Sequence, residues 1–535
     1  MTPRPPVPPS HTPVGSAGLR TRLAAGAGTL GGVFVLWSVL QILSVPILMK
    51  QWGTGLYGDW ITLNAVTGLL TLLDAGLQLH LTGQMRTAAA AGDWPRAEGV
   101  LADGLGLYTA ILLAGAGVLG VAYGAVDLPG LLHVKAADAA LTGVLLGVTT
   151  LLVLPRGLVG CVLSARGQLS RETLLGGAQQ ILPLVAQLTV AVAGGGLAAA
   201  AAAGLMVSLV VGWGVLLAAV RRWHPDVGMR MRWPTAPALR SYTRKAGLHS
   251  LPLVSMTLLL HVPVLLLQRF FPAEAAGGAA VIIYTTMRTF AGTLRQTATQ
   301  ILIAVALEMV RQHVQKDRQG LARLFAAATR FSGGGAGFLS ALLVTLGDPL
   351  FVLWTHGTVR FDPLLAAVFM GTVLVMMPAL YAMTLLRYAD HAEPLAMAYA
   401  VQTVIGIGLC AALIPAYQAI GGAVAVGVAE IAAAGLPSLR HTARLFGIAA
   451  FRLAGESWLV TATGFVVGWG AAWALMAGGL ATATLADLAA FAAVWGMVVL
   501  PAAFIILLPA SERRWLWRQA GGGWRKRRSC EEEER

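Results

Sequence analysis

The sequence predicts an all-α polytopic membrane protein of about 14 transmembrane helices, and three observations carry that prediction. The 535 residues are 57% hydrophobic and 12% charged, about half the charge of an ordinary soluble domain. Mean hydropathy is +0.72. A water-soluble chain of this size cannot hide so much apolar surface, so lipid must be the solvent for much of it. The basic residues also alternate along the chain, as a multi-spanning topology requires. The three cysteines, Cys161, Cys410 and Cys530, are widely separated, which excludes a disulfide scaffold and a cysteine metal centre.

Apolar runs near 20 residues cross about 30 Å of hydrocarbon as helices. They lie near 25–48, 58–79, 102–125, 139–163, 173–194, 197–220, 246–268, 278–307, 325–347, 364–386, 394–415, 421–439, 457–478 and 485–508. Helices are required because a lone strand cannot satisfy its backbone in lipid, and the alternating pattern of a barrel is missing. The connections Gly194-Gly195-Gly196 and Gly421-Gly422 are short enough to predict tight helical hairpins. Met1 to Pro13 is Pro-rich and polar and reads as a disordered tail. The first apolar run is too long for a cleaved signal.

Of the 38 Lys and Arg, 30 fall in the N-terminal tail, the even-numbered loops and the C-terminal tail. Four (Lys50, Lys135, Arg269 and Arg360) fall in odd-numbered loops, and Arg156, Arg288, Arg295 and Arg330 fall inside spans. By the positive-inside rule both termini are cytoplasmic and the span number is even. The count is fourteen, or twelve if 457–508 is one re-entrant unit. The net charge of +14 therefore reads as a cytoplasmic lining, richest in Arg221–Lys245 and Arg513–Arg528. Its partners are anionic membrane lipids; the signatures of nucleic-acid binding are missing. Trp515 and Trp517 read as interface anchors beside the basic tail. No zinc pair, P-loop or nucleophile elbow occurs, so neither catalysis nor a cofactor or metal is expected.

The loop after the sixth span divides the first twelve spans into two sets of six. Pro46-Ile-Leu-Met-Lys-Gln51 and Pro263-Val-Leu-Leu-Leu-Gln268 occupy corresponding places, as an internal repeat with a central substrate path predicts. The expected organisation is a cytoplasmic tail at 1–22, a six-helix lobe at 23–222 and a linker at 223–245. A second six-helix lobe follows at 246–447, then two further helices at 448–509 and a basic cytoplasmic tail at 510–535.

Several short motifs resemble the lipid-linked oligosaccharide flippases of the MOP superfamily, the Wzx type with a MATE-like fold. They are Ile47-Leu48-Met49, Gly53-Thr-Gly-Leu-Tyr57-Gly58-Asp-Trp60 and Leu73-Asp74-Ala-Gly76-Leu77 in the first hundred residues. Leu353-Trp354-Thr355, Phe361-Asp362 and Gly421-Gly-Ala-Val-Ala-Val-Gly-Val-Ala-Glu430 follow in the second half. The resemblance runs from about residue 20 to 445 and implies two six-helix lobes in a V, here with two extra C-terminal helices. It also implies alternating access in the bacterial cytoplasmic membrane and a polyprenyl-pyrophosphate-linked glycan as cargo for cell-surface polysaccharide. A polysaccharide polymerase and glycosyltransferases become candidate partners. A lipid II flippase and a cation-coupled multidrug exporter are rivals within the superfamily, and a membrane glycan enzyme is the rival outside it.

Polar groups at membrane depth are the candidate site residues, since an isolated charge there costs about 2.5–3.5 kcal/mol on insertion scales. Arg288 and Arg295 are seven apart and share one helix face, about 10 Å apart along the axis. Tyr284 and Thr299 continue that face. Fixed guanidinium groups suit the pyrophosphate that the resemblance implies. Arg330 and Arg156 are further candidates for the cationic cavity. The bland alternative for each arginine is pairing with a helix carbonyl or an acid, or snorkelling. Gln41 and Gln180, with Gln179 and Gln187, are candidates for a polar path suited to sugar hydroxyls, or for interhelical contacts. Asp74 and Glu430 are candidate coupling residues or charge partners of the arginines; Asp74 can instead organise a helix end. His249 and His261 read as core residues. The run Gly333-Gly334-Gly335-Ala336-Gly337 reads as a close-packing or bending site.

Overall fold

The computed structural model describes residues 16–74, 76–271, 277–389 and 391–507. Regular structure is helical throughout, with no strand among the described residues. In chain order the α-helices are α1 (Ser16–Gly68), α2 (Leu77–Ala90), α3 (Trp94–Gly120), α4 (Leu128–Leu131), α5 (Ala139–Ala165), α6 (Leu169–Val192), α7 (Leu197–Val207) and α8 (Leu216–Trp223). They continue as α9 (Ala236–Phe270), α10 (Gly277–Val314), α11 (Arg318–Thr345), α12 (Gly347–Thr355), α13 (Pro363–Tyr388), α14 (Ala392–Ala429), α15 (Leu436–Phe446), α16 (Ala450–Ala477) and α17 (Leu485–Leu507). Trp515, Trp517 and the Arg513–Arg528 run lie outside the described residues.

Among the described residues, each of the fourteen apolar stretches lies mainly on helix. Ten helices are long and apolar enough to cross a membrane, or eleven if α11 and α12, bent by 66°, form one broken span. Two of the ten are very long, Gly31–Asp74 and Glu393–Phe446. Each contains one residue out of helical geometry: Gly53 (φ 70°, ψ 175°) in α1 and Gln418 (φ 50°, ψ −130°) in α14. These breaks fall where the first and second spans, and the eleventh and twelfth, were expected to turn. α10 is not among the ten; its arginines lower its hydropathy. The expected count of fourteen is consistent with this arrangement.

The helices form two compact units, the first ending at Ile282 and the second starting at Ile283. In the first, α1, α2, α3, α5, α6 and α7 pack together. Leu81 and Met85 of α2, Leu101 and Tyr108 of α3, and Leu158 and Val162 of α5 share its core. The predicted α6–α7 hairpin turns at Gly194 (φ 85°). Helix α9, placed at the head of the second half by the sequence, packs in this unit against α1, α2 and the 3₁₀ turn Leu69–Asp74. Gly68 and Gly76 allow this approach, since a Cβ on either would meet His261 or the Ser250 backbone.

In the second unit α11, α13, α14 and α15 pack with the two C-terminal helices. The glycine run on α11 forms its seam with α16. A Cβ on Gly337 would strike the Thr461 carbonyl and come within 3.1 Å of the Phe465 nitrogen, and one on Gly464 would stand 2.9 Å from the Gly334 carbonyl. Small residues let the backbones approach where lipid supplies no hydrophobic drive. Trp495 of α17 then donates its indole N–H to the Gly468 carbonyl at 2.8 Å. π-helical turns interrupt the sixth and twelfth spans, at Ser208–Val215 and Glu430–Gly435.

Candidate functional site

The α10 arginines sit in the second unit, and their surroundings differ. α10 has no proline, so the seven-residue spacing keeps Arg288 and Arg295 on one face. Arg288 is half-buried, its guanidinium carbon 5.4 Å from the Tyr284 ring centroid, within cation–π range. Tyr284 is buried rather than path-lining; its ring meets Phe369 of α13 edge-on at 5.3 Å. The Thr299 hydroxyl donates to the Arg295 carbonyl at 2.8 Å, a bond within its own helix.

Arg295 is held by an acid. Its Nη2 lies 2.5 Å from Oε1 of Glu430, and the side chains are 36% and 8% exposed respectively. The carboxylate is sealed and the guanidinium keeps an open flank. Glu430 opens the π turn between α14 and α15, and such turns widen a helix locally. Tyr399 of α14 is buried beside this pair, close enough for Arg387, Arg295 and Glu430 all to act on its hydroxyl. The sequence named both members of the pair; the structure joins them.

The other candidates are scattered. Arg330 donates from Nε and Nη2 to the Ile506 carbonyl of α17 at 3.3 and 3.1 Å, satisfying one of the carbonyls a helix end leaves open. Asp74 accepts from the Tyr108 hydroxyl and from the Gln78 backbone N–H at 3.3 Å, just before the left-handed Gly76 (φ 70°). That is the helix-end role. Gln41 and Gln180 are exposed; Gln187 and Gln179 lie over Gly204 and Gly212 of the sixth span. His261 packs on Gly68, while the His249 side chain lies outside the described residues. Among the described residues no three His, Cys, Asp or Glu come together as a metal site.

Two polar clusters of the first unit go beyond the sequence reading, which named only Arg156 among their members. Buried Asp103 of α3 accepts from Arg232 Nε at 2.7 Å and from the Tyr242 hydroxyl at 3.1 Å, tying the linker and α9 to α3. Arg86 of α2, Arg156 of α5 and Glu172 of α6 also converge. Their members come from distant segments of the chain, so no spacing along it could have joined them.

By sequence, no known family matches the chain, and no curated protein does. Solved structures do match in shape. The lipid II flippase MurJ in an inward closed conformation superposes with a TM-score of 0.62 at 10% identity, over 88% of this chain and 99% of that one. An inward-facing multidrug resistance MATE transporter of the MOP superfamily gives 0.58 at 16% identity, over 78% and 95%. A MATE transporter of Vibrio cholerae, in a mutant form, gives 0.55 at 15% identity, over 81% and 100%. The fold is therefore the MATE-like, all-helical membrane fold that these proteins share.

Proposed function

We propose that the protein is a flippase that moves a polyprenyl-pyrophosphate-linked oligosaccharide across the bacterial cytoplasmic membrane, for cell-surface polysaccharide, by alternating access. The observation that carries the reading is the cationic face of α10, with half-buried Arg288 beside Tyr284 and partly exposed Arg295 beside Glu430. Arginine remains charged and grips phosphate oxygens in pairs, so this face suits a pyrophosphate and disfavours a cationic drug. Glu430 serves as the internal anion of Arg295 until cargo competes for it, which lowers the cost of the empty state. The prenyl tail of the cargo stays in lipid. Both termini face the cytoplasm, where a polymerase and glycosyltransferases act with the cargo.

Replacing Arg288 and Arg295 together by Ala tests this. Membrane insertion should survive, surface glycan should fall at least about tenfold, and lipid-linked intermediate should accumulate inside. Normal export by the double variant would refute the reading. The lipid II alternative is separated by asking whether the chain sustains growth of cells depleted of their own lipid II flippase.

A further inference from the structure

The α2–α5–α6 cluster of the first unit is one anion short. Glycines locate its members, and one of them, Gly157, is sterically required. A Cβ on Gly157 would overlap the Gln78 amide, one on Gly160 would stand 3.8 Å from the Glu172 side chain, and one on Gly176 would stand 3.9 Å from Arg156 Nη1. Gly157 of α5 thus admits the Gln78 side chain, while Glu172 and Arg156 lie at ordinary contact distance from Gly160 and Gly176. The charges inside do not balance. Arg86 donates to Ser164 Oγ at 3.2 Å and lies 3.5 Å from Glu172 Oε1. Glu172 Oε2 is buried and has no hydrogen-bond partner. Arg156 is half-buried in the membrane-crossing α5, and its Nε is buried without a partner. Among the described residues no hydrogen bond or ion pair holds its guanidinium; Glu172 is the acid near enough to act on it. Two cations therefore share one carboxylate that is engaged with only one of them. A guanidinium at such depth is costly unless something answers it.

We propose that Arg156 and Arg86 form a second anion site that takes a phosphate-bearing group, and that Glu172 holds the site open when it is empty. Two arginines from different helices match the several oxygens of a phosphate better than one carboxylate does. The charge pattern of the loops puts this end of α2, α5 and α6 on the cytoplasmic side. Resting on the flippase reading, the site is where the pyrophosphate of the cargo is first received from the inner leaflet. The same chemistry is offered by an anionic phospholipid headgroup and by free pyrophosphate.

The test uses the full chain in nanodiscs of phosphatidylcholine, followed by thermal unfolding. Three probes are titrated separately: polyprenyl pyrophosphate, phosphatidylglycerol and inorganic pyrophosphate. The wild type should melt higher with polyprenyl pyrophosphate. R156M should melt no lower than wild type without ligand, because an unanswered cation is removed, and should need at least about tenfold more ligand for the same shift. R86M should weaken the shift as well. A shift with phosphatidylglycerol alone, lost in R156M, would support the phosphate site and assign it to a resident lipid. An unchanged ligand shift in R156M, no shift with any probe, or a lower melting point of R156M without ligand would each overturn the inference. None of these touches the export assay of the α10 arginines, so the two readings fail separately.

Discussion

The Arg295–Glu430 pair makes an asymmetric prediction about its two halves. With charge centres near 4 Å, the attraction is about 4 kcal/mol at an effective dielectric of 20. Desolvation offsets much of that, so the pair contributes little net stability, but removal of one member is costly when the other stays buried. The members are not equally buried: Glu430 is 8% exposed and Arg295 36%. R295M leaves a sealed carboxylate unanswered, with an expected cost of about 3 kcal/mol or more. E430Q leaves a guanidinium that is less enclosed than the carboxylate and whose neighbour still accepts a hydrogen bond, at about 1 kcal/mol. The double variant R295M/E430L removes both charges and should recover most of the loss. Unfolding free energies of the four proteins in bicelles, arranged as a double-mutant cycle, measure this directly. Equal losses for R295M and E430Q, or a double variant as unstable as the sum of the singles, would refute the reasoning.

Three further outcomes are expected. G337A should cost about 2 kcal/mol or more, because its Cβ meets the α16 backbone at Thr461 and Phe465, while G335A, with nothing within 4 Å, should stay within about 0.5 kcal/mol of wild type; equal effects on unfolding would refute the seam. Y108F removes the hydroxyl that Asp74 accepts from inside the first unit and should cost about 1–3 kcal/mol; a stability equal to wild type would show that the bond is not formed. Burial first, and the Arg166 charge beside it, hold the His224 imidazole below its ordinary value of 6.5. The folded protein thus disfavours the proton, so the stabilisation is present above pH 6.5 and is lost as pH falls below it; H224Q should flatten the fall in stability between pH 7 and 5, and a slope unchanged in H224Q would remove the argument.

The fold class was legible in the sequence because lipid imposes a single local rule. Every stretch must be apolar, about 20 residues long and internally hydrogen-bonded, so residues near in sequence reveal it. The same locality exposed Arg288 and Arg295 as a pair on one face, Glu430 as an acid at depth, and the glycine run of α11 as a packing feature. The turn at Gln418 was foreseen only through its neighbours Gly421 and Gly422, since an αL-side φ at a glutamine leaves no compositional mark.

What only the tertiary structure decided is which charge answers which. Arg330 ends on a carbonyl 176 residues away in sequence, Glu430 finds Arg295 across 135 positions, and α9 packs with α1 and α2. Pairing energies in a low-dielectric interior depend on separation in space and on burial, and neither can be read from order along a chain. The sequence by itself set the solvent, the helices and the inventory of costly polar groups. Packing decided which of those groups were paired within the protein and which, like Arg156 Nε, have no hydrogen-bond partner in it.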